Sequence, residues 1–184
     1  MTLFINACVR KKSRTKRIAD ALLSKTGGPY EEIRPCEISF SKADEAFLTA
    51  RDTLIANGDF DNHLFYLARQ FARADEIIIA SPFWDLSFPA ALKQYFEQIN
   101  VVGITFIYTP EGIPQGLCRA KRLTYVTTAG GNYAPDEYGF GYVKALAEQF
   151  YGIPDVRLIK AEGLDIDGAD EEEILKSAME KIGF

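Results

Sequence analysis

The sequence has 184 residues, of which 47% are hydrophobic and 26% are charged, and its formal net charge is −5. This composition is typical of one globular domain with a full core, and we expect a single domain over residues 1–184. The overall acidity argues against a nucleic-acid-binding protein, and no apolar run reaches the roughly 18–20 residues that span a membrane.

Segments with strand and helix patterns alternate along the chain. Short apolar or β-branched runs bounded by turn residues predict five strands, TLFINA (2–7), YEEIRP (30–35), EIIIASP (76–82), RLTYVTT (122–128) and VRLIKAEG (156–163). Apolar residues at helical spacing predict five helices, at 14–25, 61–75, 89–100, 142–152 and 170–183. The alternation predicts a parallel sheet with helices on both faces, joined by right-handed crossovers. In residues 40–60, the hardest segment to interpret, we expect a short extra helix over the sheet edge or against a partner.

In sheets of this kind, ligands bind beyond the carboxyl ends of the strands, where the strand order reverses. The loop after the first strand, CVRKKSRTKR (8–17), holds six cationic side chains in eight positions. Ser13 and Thr15 would offer hydroxyl groups beside the unpaired N–H groups of the helix start. Because a helix N-terminus disfavours cations, so much positive charge there predicts a bound phosphate group. The alternative is a capping serine followed by a solvated charged face.

Two further loops reach the same edge of the predicted sheet. The loop after the third strand contains the aromatic residues Phe83, Trp84 and Phe88, with backbone amides that suit a planar heteroaromatic ring. The alternative is that these aromatic side chains close the top of the core, which fits Phe88 better than Trp84. After the fourth strand, Gly130 and Gly131 would let the backbone pass close to a ligand.

The cysteines and the histidine do not indicate a catalytic or metal-binding motif. Cys8, Cys36 and Cys118 are far apart and form no CxxC pair, and His63 has no obvious ligand companion. We expect neither a disulfide scaffold nor a metal site. The apolar run at the start of the chain is too short for a signal peptide, so we expect a cytoplasmic protein.

The three loops and the segment between them resemble the FMN-dependent NADH-azoreductase and NAD(P)H:quinone oxidoreductase family of flavodoxin-like flavoproteins. The likeness is strongest over residues 81–117, SPFWDLSFPAALKQYFEQINVVGITFIYTPEGIPQGL, where Ile113 is one extra residue. It is weaker at residues 13–15 and 127–131, and it thins after about Tyr142. The resemblance implies a flavodoxin-like α/β fold whose five parallel strands have the order 2-1-3-4-5.

The resemblance also implies where FMN binds. In that family the first loop holds the phosphate, the second lines the isoalloxazine ring and the third closes over its pyrimidine edge. The residues implied here are Ser13, Arg14 and Thr15 for the phosphate, Pro82, Phe83, Trp84, Asp85 and Leu86 for the ring, and Thr128, Ala129, Gly130, Gly131 and Tyr133 for the rest of the pocket. No catalytic side chain is implied, because the flavin carries the hydride chemistry. Asp85, Ile107 and Ala129 depart from the family's usual residues, which leaves the redox potential and the substrate range open.

The activity implied is the reduction of quinones or azo compounds by NADH or NADPH through FMN, two electrons at a time. Since both substrates would use one face of the flavin, we expect ping-pong kinetics. The resemblance also implies a homodimer, with residues 102–117 as a contributor to the shared pocket. Loop aromatic residues such as Trp84, Phe106 and Tyr108, which one small domain would not cover, favour the same expectation. Three alternatives remain open: an NAD(P)H:FMN reductase, a flavodoxin-like electron carrier without enzymatic activity, and a flavin-free protein that binds nucleotides or nucleic acid.

Overall fold

The fold is built on a five-stranded parallel sheet. In a computed structural model, which describes residues 1–181, the strands are β1 (Thr2–Asn6), β2 (Tyr30–Ile33), β3 (Glu76–Ala80), β4 (Phe106–Tyr108), β5 (Pro114–Gly116), β6 (Arg122–Thr128) and β7 (Asp155–Ala161). Five of them pair in parallel in the order β2-β1-β3-β6-β7, whereas β4 and β5 form a separate antiparallel hairpin. The strand order reverses between β1 and β3, which places a crevice at the carboxyl edge of these two strands.

Helices connect the strands and cover the sheet. They are α1 (Arg14–Thr26), α2 (Glu45–Ala56), α3 (Tyr66–Arg73), α4 (Ala90–Ile99), α5 (Phe140–Ala145) and α6 (Glu171–Glu180). Single 3₁₀ turns occur at Pro35–Glu37 and His63–Phe65, and α5 continues as a π-helix over Leu146–Tyr151. α1 begins where the sequence predicts, because Ser13 caps it, and it ends at Gly27, whose φ is 67°.

The apolar run EIIIA, which forms β3, is buried on both sides of the sheet. Ile77 and Ile79 belong to the core that includes α3 and α4, whereas Ile78 belongs to the core that includes α1 and α6. Successive side chains of a strand point to opposite faces, so each face of the sheet has its own core. All three isoleucines are fully buried, as expected of a strand covered by helices on both faces.

The predicted sheet and its strand order are confirmed, and its fourth and fifth strands are β6 and β7 because the unpredicted hairpin comes between them. The helix predicted over 61–75 is wrong in its first turn, because Asn62 caps a 3₁₀ turn and α3 begins only at Tyr66. Residues 40–60 contain α2, none of whose residues is buried. α6 is the predicted C-terminal helix, and positions 182–183 of that prediction lie outside the described residues.

The β4–β5 hairpin packs against the end of the π-helix through Gly116. A Cβ atom on Gly116 would lie 2.1 Å from the carbonyl carbon of Tyr151 and 2.2 Å from the amide nitrogen of Gly152. The Cys118 N–H donates a hydrogen bond to the Tyr151 carbonyl oxygen at 3.3 Å, which holds the hairpin in this position. Backbone packs directly on backbone here, and only glycine leaves room for that contact.

Within the described residues the cysteines are free thiols. Burial raises the pKa of Cys8, and it raises the pKa of Cys118 to about 12, so both thiols are protonated at neutral pH. Residues 1–181 contain no group of three or more His, Cys, Asp or Glu side chains placed to hold a metal ion. Over the same range no helix is both long enough and apolar enough to cross a membrane.

Candidate functional site

A cleft opens at the carboxyl ends of β1, β3 and β6, where the strand order reverses. The loops that follow these three strands line it, and the loop after β7 supplies one further wall. The lining residues are Val9, Arg10, Lys12, Ser13, Arg14, Thr15, Pro82, Phe83, Trp84, Thr128, Gly130 and Asp165. The three loops that the sequence singles out therefore meet in one place, as the rule for ligands of open parallel sheets predicts.

The start of α1 forms one end of the cleft. The Ser13 Oγ atom accepts a hydrogen bond from the Lys16 N–H at 3.2 Å and so caps the helix. Thr15 is buried, and its Oγ1 atom lies 2.7 Å from Oγ1 of Thr128, so a hydrogen bond between the hydroxyl groups ties α1 to the end of β6. Helix geometry leaves the first-turn N–H groups without intrahelical partners. This end of the cleft therefore combines hydroxyl and amide groups with the positive end of the helix dipole.

Two of the six cations near this helix start are paired with carboxylates from the C-terminal part of the chain. Arg14 Nη1 lies 2.7 Å from Asp165 Oδ1 and 3.3 Å from Glu171 Oε2, and Arg17 Nη2 lies 2.7 Å from Glu172 Oε2. The hydrogen bond from Arg14 holds the pKa of the Asp165 carboxyl below its usual value. Cations at a helix N-terminus are unfavourable, and the sequence alone suggests that a bound phosphate group offsets this. In the structure these carboxylates of the chain itself already offset part of it.

Of the other four cations, one forms an ion pair within residues 1–181 and three do not. Lys16 pairs with Asp20, one turn further along α1, at 2.7 Å. Arg10, Lys11 and Lys12 are exposed, and within residues 1–181 none of the three forms an ion pair. Because Arg10 and Lys12 also line the cleft, their charge is available to an anion held at the start of α1.

A tight turn after β3 carries two strained residues. The Trp84 N–H donates to the Ser87 carbonyl oxygen at 3.1 Å, and the Ser87 N–H donates back to the Trp84 carbonyl oxygen at 2.7 Å. Between them, Asp85 and Leu86 have φ values of 51° and 62°, in the left-handed region that favours glycine. Their own N–H groups donate to no acceptor among the described residues. The turn therefore presents two amides at its tip, and its backbone strain costs about 1 to 3 kcal/mol for each residue.

The aromatic residues of this loop divide between the cleft and the core. Phe88 is buried, and its ring centroid lies 6.0 Å from that of Phe96, so it closes the top of the core. Trp84 lines the cleft and is 40% exposed. Phe83 lines it as well, and its N–H donates to the Thr128 carbonyl oxygen at 3.0 Å, which joins the second loop to the third. Trp84 is thus a large planar surface that the cleft offers to a ligand ring.

Gly130 brings the third loop against the loop that follows β7. The Asp165 N–H donates to the Gly130 carbonyl oxygen at 2.8 Å, and a Cβ atom on Gly130 would lie only 2.0 Å from Asp165 Oδ2. Gly130 therefore makes room for a carboxylate of this chain. A Cβ atom on Gly131 would meet no atom of the described residues within 4 Å. Ala129 is buried and Tyr133 is 75% exposed, and neither lines the cleft.

The structure brings eight of the thirteen residues implied by the resemblance to the lining of the cleft. They are Ser13, Arg14, Thr15, Pro82, Phe83, Trp84, Thr128 and Gly130. Five lie in the same loops but outside the lining, namely Asp85, Leu86, Ala129, Gly131 and Tyr133. Sequence reasoning names Arg10 and Lys12 only as part of the basic run, and it misses Val9 and Asp165. No local pattern marks Asp165, which reaches the cleft only because β7 lies beside β6.

The fold and the cleft define a flavodoxin-like protein, and comparison with known proteins agrees. Residues 1–183 match the family described as having a flavodoxin-like fold. A Clostridium beijerinckii protein named FMN-dependent NADH:quinone oxidoreductase is 39% identical, and the match covers 96% of this chain and 91% of that protein. A protein of the same name from Lachnoclostridium phytofermentans is 37% identical, and the match covers 99% of this chain and 96% of that one. The chain belongs to the flavodoxin-like family of FMN-dependent NADH:quinone oxidoreductases.

Solved structures of similar proteins agree with this result. The FMN-dependent NADH-azoreductase of Bacillus anthracis strain Ames Ancestor, determined in complex with FMN, matches with a TM-score of 0.81 at 26% identity. The match covers 98% of this chain and 94% of that one. An azoreductase of Bacillus anthracis strain Sterne, at 24% identity and a TM-score of 0.83, covers 98% of this chain and 95% of that one, and it shares the fold. The family resemblance carried by the loop sequences is therefore confirmed.

Proposed function

We propose that this protein is an enzyme that uses FMN to carry hydride from NADH to quinones, and that it also reduces azo compounds. The observation that carries the proposal is a single cleft with a cationic, donor-rich end at α1 and a planar aromatic wall at Trp84. FMN has the matching form, with a phosphate group at one end and a flat ring at the other. The names of the relatives, which state FMN, NADH and quinone or azo reduction, support the assignment.

Particular groups fit the phosphate of FMN. Arg10 and Lys12 would supply positive charge, Ser13 a hydroxyl group, and the first turn of α1 its N–H groups. Thr15 would hold this helix start against β6 through its hydrogen bond to Thr128. Hydrogen bonds to a charged phosphate are about twice as strong as neutral ones. The phosphate end of the cleft should therefore contribute much of the affinity for FMN.

The loop after β3 fits the ring of FMN. Trp84 would cover the ring from water, and the free amides of Asp85 and Leu86 would donate hydrogen bonds to its edge. If the Asp85 carboxylate faces that edge, it would disfavour negative charge on the ring. When bound, FMN supplies the redox chemistry, since it accepts hydride from the reduced nicotinamide and passes it to the acceptor. The residues of this chain need only bind and orient the ring and exclude water.

The proposal includes a homodimer of single-domain chains in the cytoplasm. The β4–β5 hairpin and the residues beside it expose Tyr108, Ile113 and Leu117, and Ile113 is 61% exposed. Exposed apolar side chains concentrated in one region are typical of an interface, and two-fold dimers are the most common oligomers. Phe106, which also suggested a dimer, is buried within the chain itself.

Titration with FMN followed by reduction with NADH tests the proposal. The apo-protein should bind one FMN per chain, NADH should bleach the visible flavin absorbance, and a benzoquinone added next should restore it. Failure to bind FMN at micromolar concentration would overturn the proposal. Bound FMN that NADH reduces too slowly for turnover would favour an electron carrier, and reduced flavin released into solution would favour an FMN reductase. The same assay with NADPH measures the donor preference.

Steady-state kinetics test whether donor and acceptor use the same surface beside Trp84. If they bind there in turn, NADH varied at several fixed benzoquinone concentrations should give parallel double-reciprocal lines. Trp84→Ala should then lower kcat/KM for both substrates by about threefold to tenfold, the range expected when an aromatic contact is lost. Trp84→Phe should keep most of the activity. Neither change should alter thermal stability much, because Trp84 is 40% exposed. Intersecting lines would contradict the shared surface.

A further inference from the structure

Arg14 is held at the cleft through one nitrogen atom of its guanidinium group. Its Nη1 atom donates hydrogen bonds to Asp165 Oδ1 at 2.7 Å, to the Leu164 carbonyl oxygen at 3.2 Å and to Glu171 Oε2 at 3.3 Å. Its Nη2 and Nε atoms donate to no acceptor within residues 1–181. A guanidinium group carries five N–H donors in a rigid plane, so three contacts on one nitrogen also restrict the direction of the other N–H groups. Arg14, which lines the cleft, therefore keeps N–H donors that no described residue uses.

Asp165, which provides the shortest of these contacts, is itself fixed from two sides. Its N–H donates to the Gly130 carbonyl oxygen at 2.8 Å. Its Oδ2 atom occupies the space that a side chain on Gly130 would fill, while its Oδ1 atom receives Arg14. The Asp165 side chain is 66% exposed. Its position is nevertheless fixed by contacts with Gly130, and its negative charge forms an ion pair with Arg14.

We propose that Asp165 is a positioning residue for the phosphate group of FMN, because it holds Arg14 with its free N–H groups in the cleft. This inference rests on the proposed function. Arg14 then contributes to phosphate binding only while Asp165 holds it. Gly130 contributes indirectly, because the absence of a side chain there leaves the space that the Asp165 carboxylate occupies.

A double-mutant cycle on cofactor binding measures this dependence. FMN and riboflavin are titrated into the apo forms of the wild type, Arg14→Ala, Asp165→Asn and the double variant, with flavin fluorescence as the readout. In the wild-type background, Arg14→Ala should weaken FMN binding about tenfold or more, as expected for the loss of a hydrogen bond between charged groups. In the Asp165→Asn background the same change should weaken FMN binding by less than about threefold, because the two residues act as one unit. Riboflavin lacks the phosphate and should bind all four proteins equally well.

Three further variants separate positioning from general effects of charge or packing. Glu173→Gln removes a negative charge of α6 that does not contact Arg14, and it should leave the ratio of FMN to riboflavin affinity unchanged. Gly130→Ala should lower that ratio as Asp165→Asn does, because the new Cβ atom displaces the carboxylate. Gly28→Ala is the matched control and should leave the ratio unchanged, since its Cβ atom meets nothing within 4 Å and Gly28 does not line the cleft.

The outcomes distinguish this inference from the function on which it rests. An effect of Arg14→Ala that is equally large in both backgrounds would overturn the role of Asp165. Parallel losses of FMN and riboflavin affinity in Asp165→Asn would overturn it too, because they would show damage to the whole cleft. A wild-type protein that binds no FMN would overturn the proposed function itself, and this inference with it.

Discussion

Two small residues of the cleft, Ser13 and Gly130, occupy their positions for different physical reasons. Ser13 caps α1 with its Oγ atom and also lines the cleft, so its hydroxyl is in reach of a ligand. Gly130 lines the cleft as well, but its missing side chain is explained by the Asp165 carboxylate against which it packs. A small residue in a binding loop can therefore be required by the ligand or by a neighbouring side chain of the protein, and only the structure distinguishes the two reasons.

Replacing Ser13 by glycine should affect FMN and riboflavin differently. Glycine is a tolerated N-cap that costs only a few tenths of a kcal/mol relative to serine, so the helix should remain intact. The lost hydroxyl should weaken FMN binding by about 1.5 to 3 kcal/mol, as expected for a hydrogen bond to a charged group. Fluorescence titration should show this loss for FMN and none for riboflavin. Equal losses for the two ligands would remove Ser13 from the phosphate site.

The positive φ at Leu86 predicts an unusual order of stabilities for two substitutions. Leu86→Ala and Leu86→Gly both remove an exposed side chain, but only glycine adopts a positive φ without steric cost. The glycine variant should therefore have a free energy of unfolding higher than that of the alanine variant by about 1 kcal/mol. Urea-induced unfolding of the two apo-proteins measures the difference. Equal stabilities would mean that this turn is not strained.

At the scale of elements, the β4–β5 hairpin depends on close backbone contact more than on strand propensity. Its strands are only three residues long, and β5 consists of Pro114, Gln115 and Gly116, of which proline and glycine are poor strand formers. Periodicity therefore does not reveal it. The hairpin is ordered by its pairing and by the contact of Gly116 with the end of the π-helix.

Gly116→Ala should destabilise the protein markedly. The added Cβ atom would lie 2.1 Å from a backbone carbon, so the hairpin or the helix must move, at a cost of about 1 to 3 kcal/mol or more. Gly28→Ala is the matched control, because its Cβ atom meets nothing within 4 Å and its φ needs no glycine. Chemical denaturation should show a shift of less than about 0.5 kcal/mol for this control. Similar effects of the two substitutions would contradict the close packing.

The helices show which boundaries a sequence reveals. α1 begins at Arg14 as predicted, since Ser13 followed by a helical pattern is a recognisable cap. The start of α3 is mispredicted because the apolar pattern continues through a 3₁₀ turn, which has nearly the same periodicity. A side-chain cap such as Asn62 therefore marks where helical backbone begins, but it does not distinguish a 3₁₀ turn from the first turn of an α-helix.

For the whole molecule we predict a homodimer. Light scattering at micromolar concentration should give twice the chain mass of 20.6 kDa. Ile113→Asp should shift the mass toward the monomer, because it places a charge in the exposed apolar surface of the hairpin. Ile166→Asp is the control, since Ile166 is similarly exposed but lies in the loop after β7. A monomer with full activity would contradict the dimer.

The sequence alone indicates the class of the fold and three of the four walls of the cleft. Those walls follow strands one, three and four, and each carries a local signal such as the basic run at Arg10 or the aromatic residues at Trp84. The fourth wall carries no such signal. Asp165 is one of several carboxylates on an acidic stretch, and only the pairing of β6 with β7 singles it out. Local sequence patterns do not predict contacts between residues that are distant in the sequence, such as Arg14 and Asp165.

The ion pair between Arg14 and Asp165 joins residues that are 151 positions apart in the chain. A ribosome adds about 5 to 20 residues per second, so about 8 to 30 s separate the synthesis of the two partners. During that interval the nascent chain carries its cationic loop without the carboxylate that orients it. The cleft is complete only after β7 and the loop behind it have left the ribosome. Capture of the cofactor should therefore follow the synthesis of β7 and the loop behind it, and chains that are terminated before Asp165 should stay colourless.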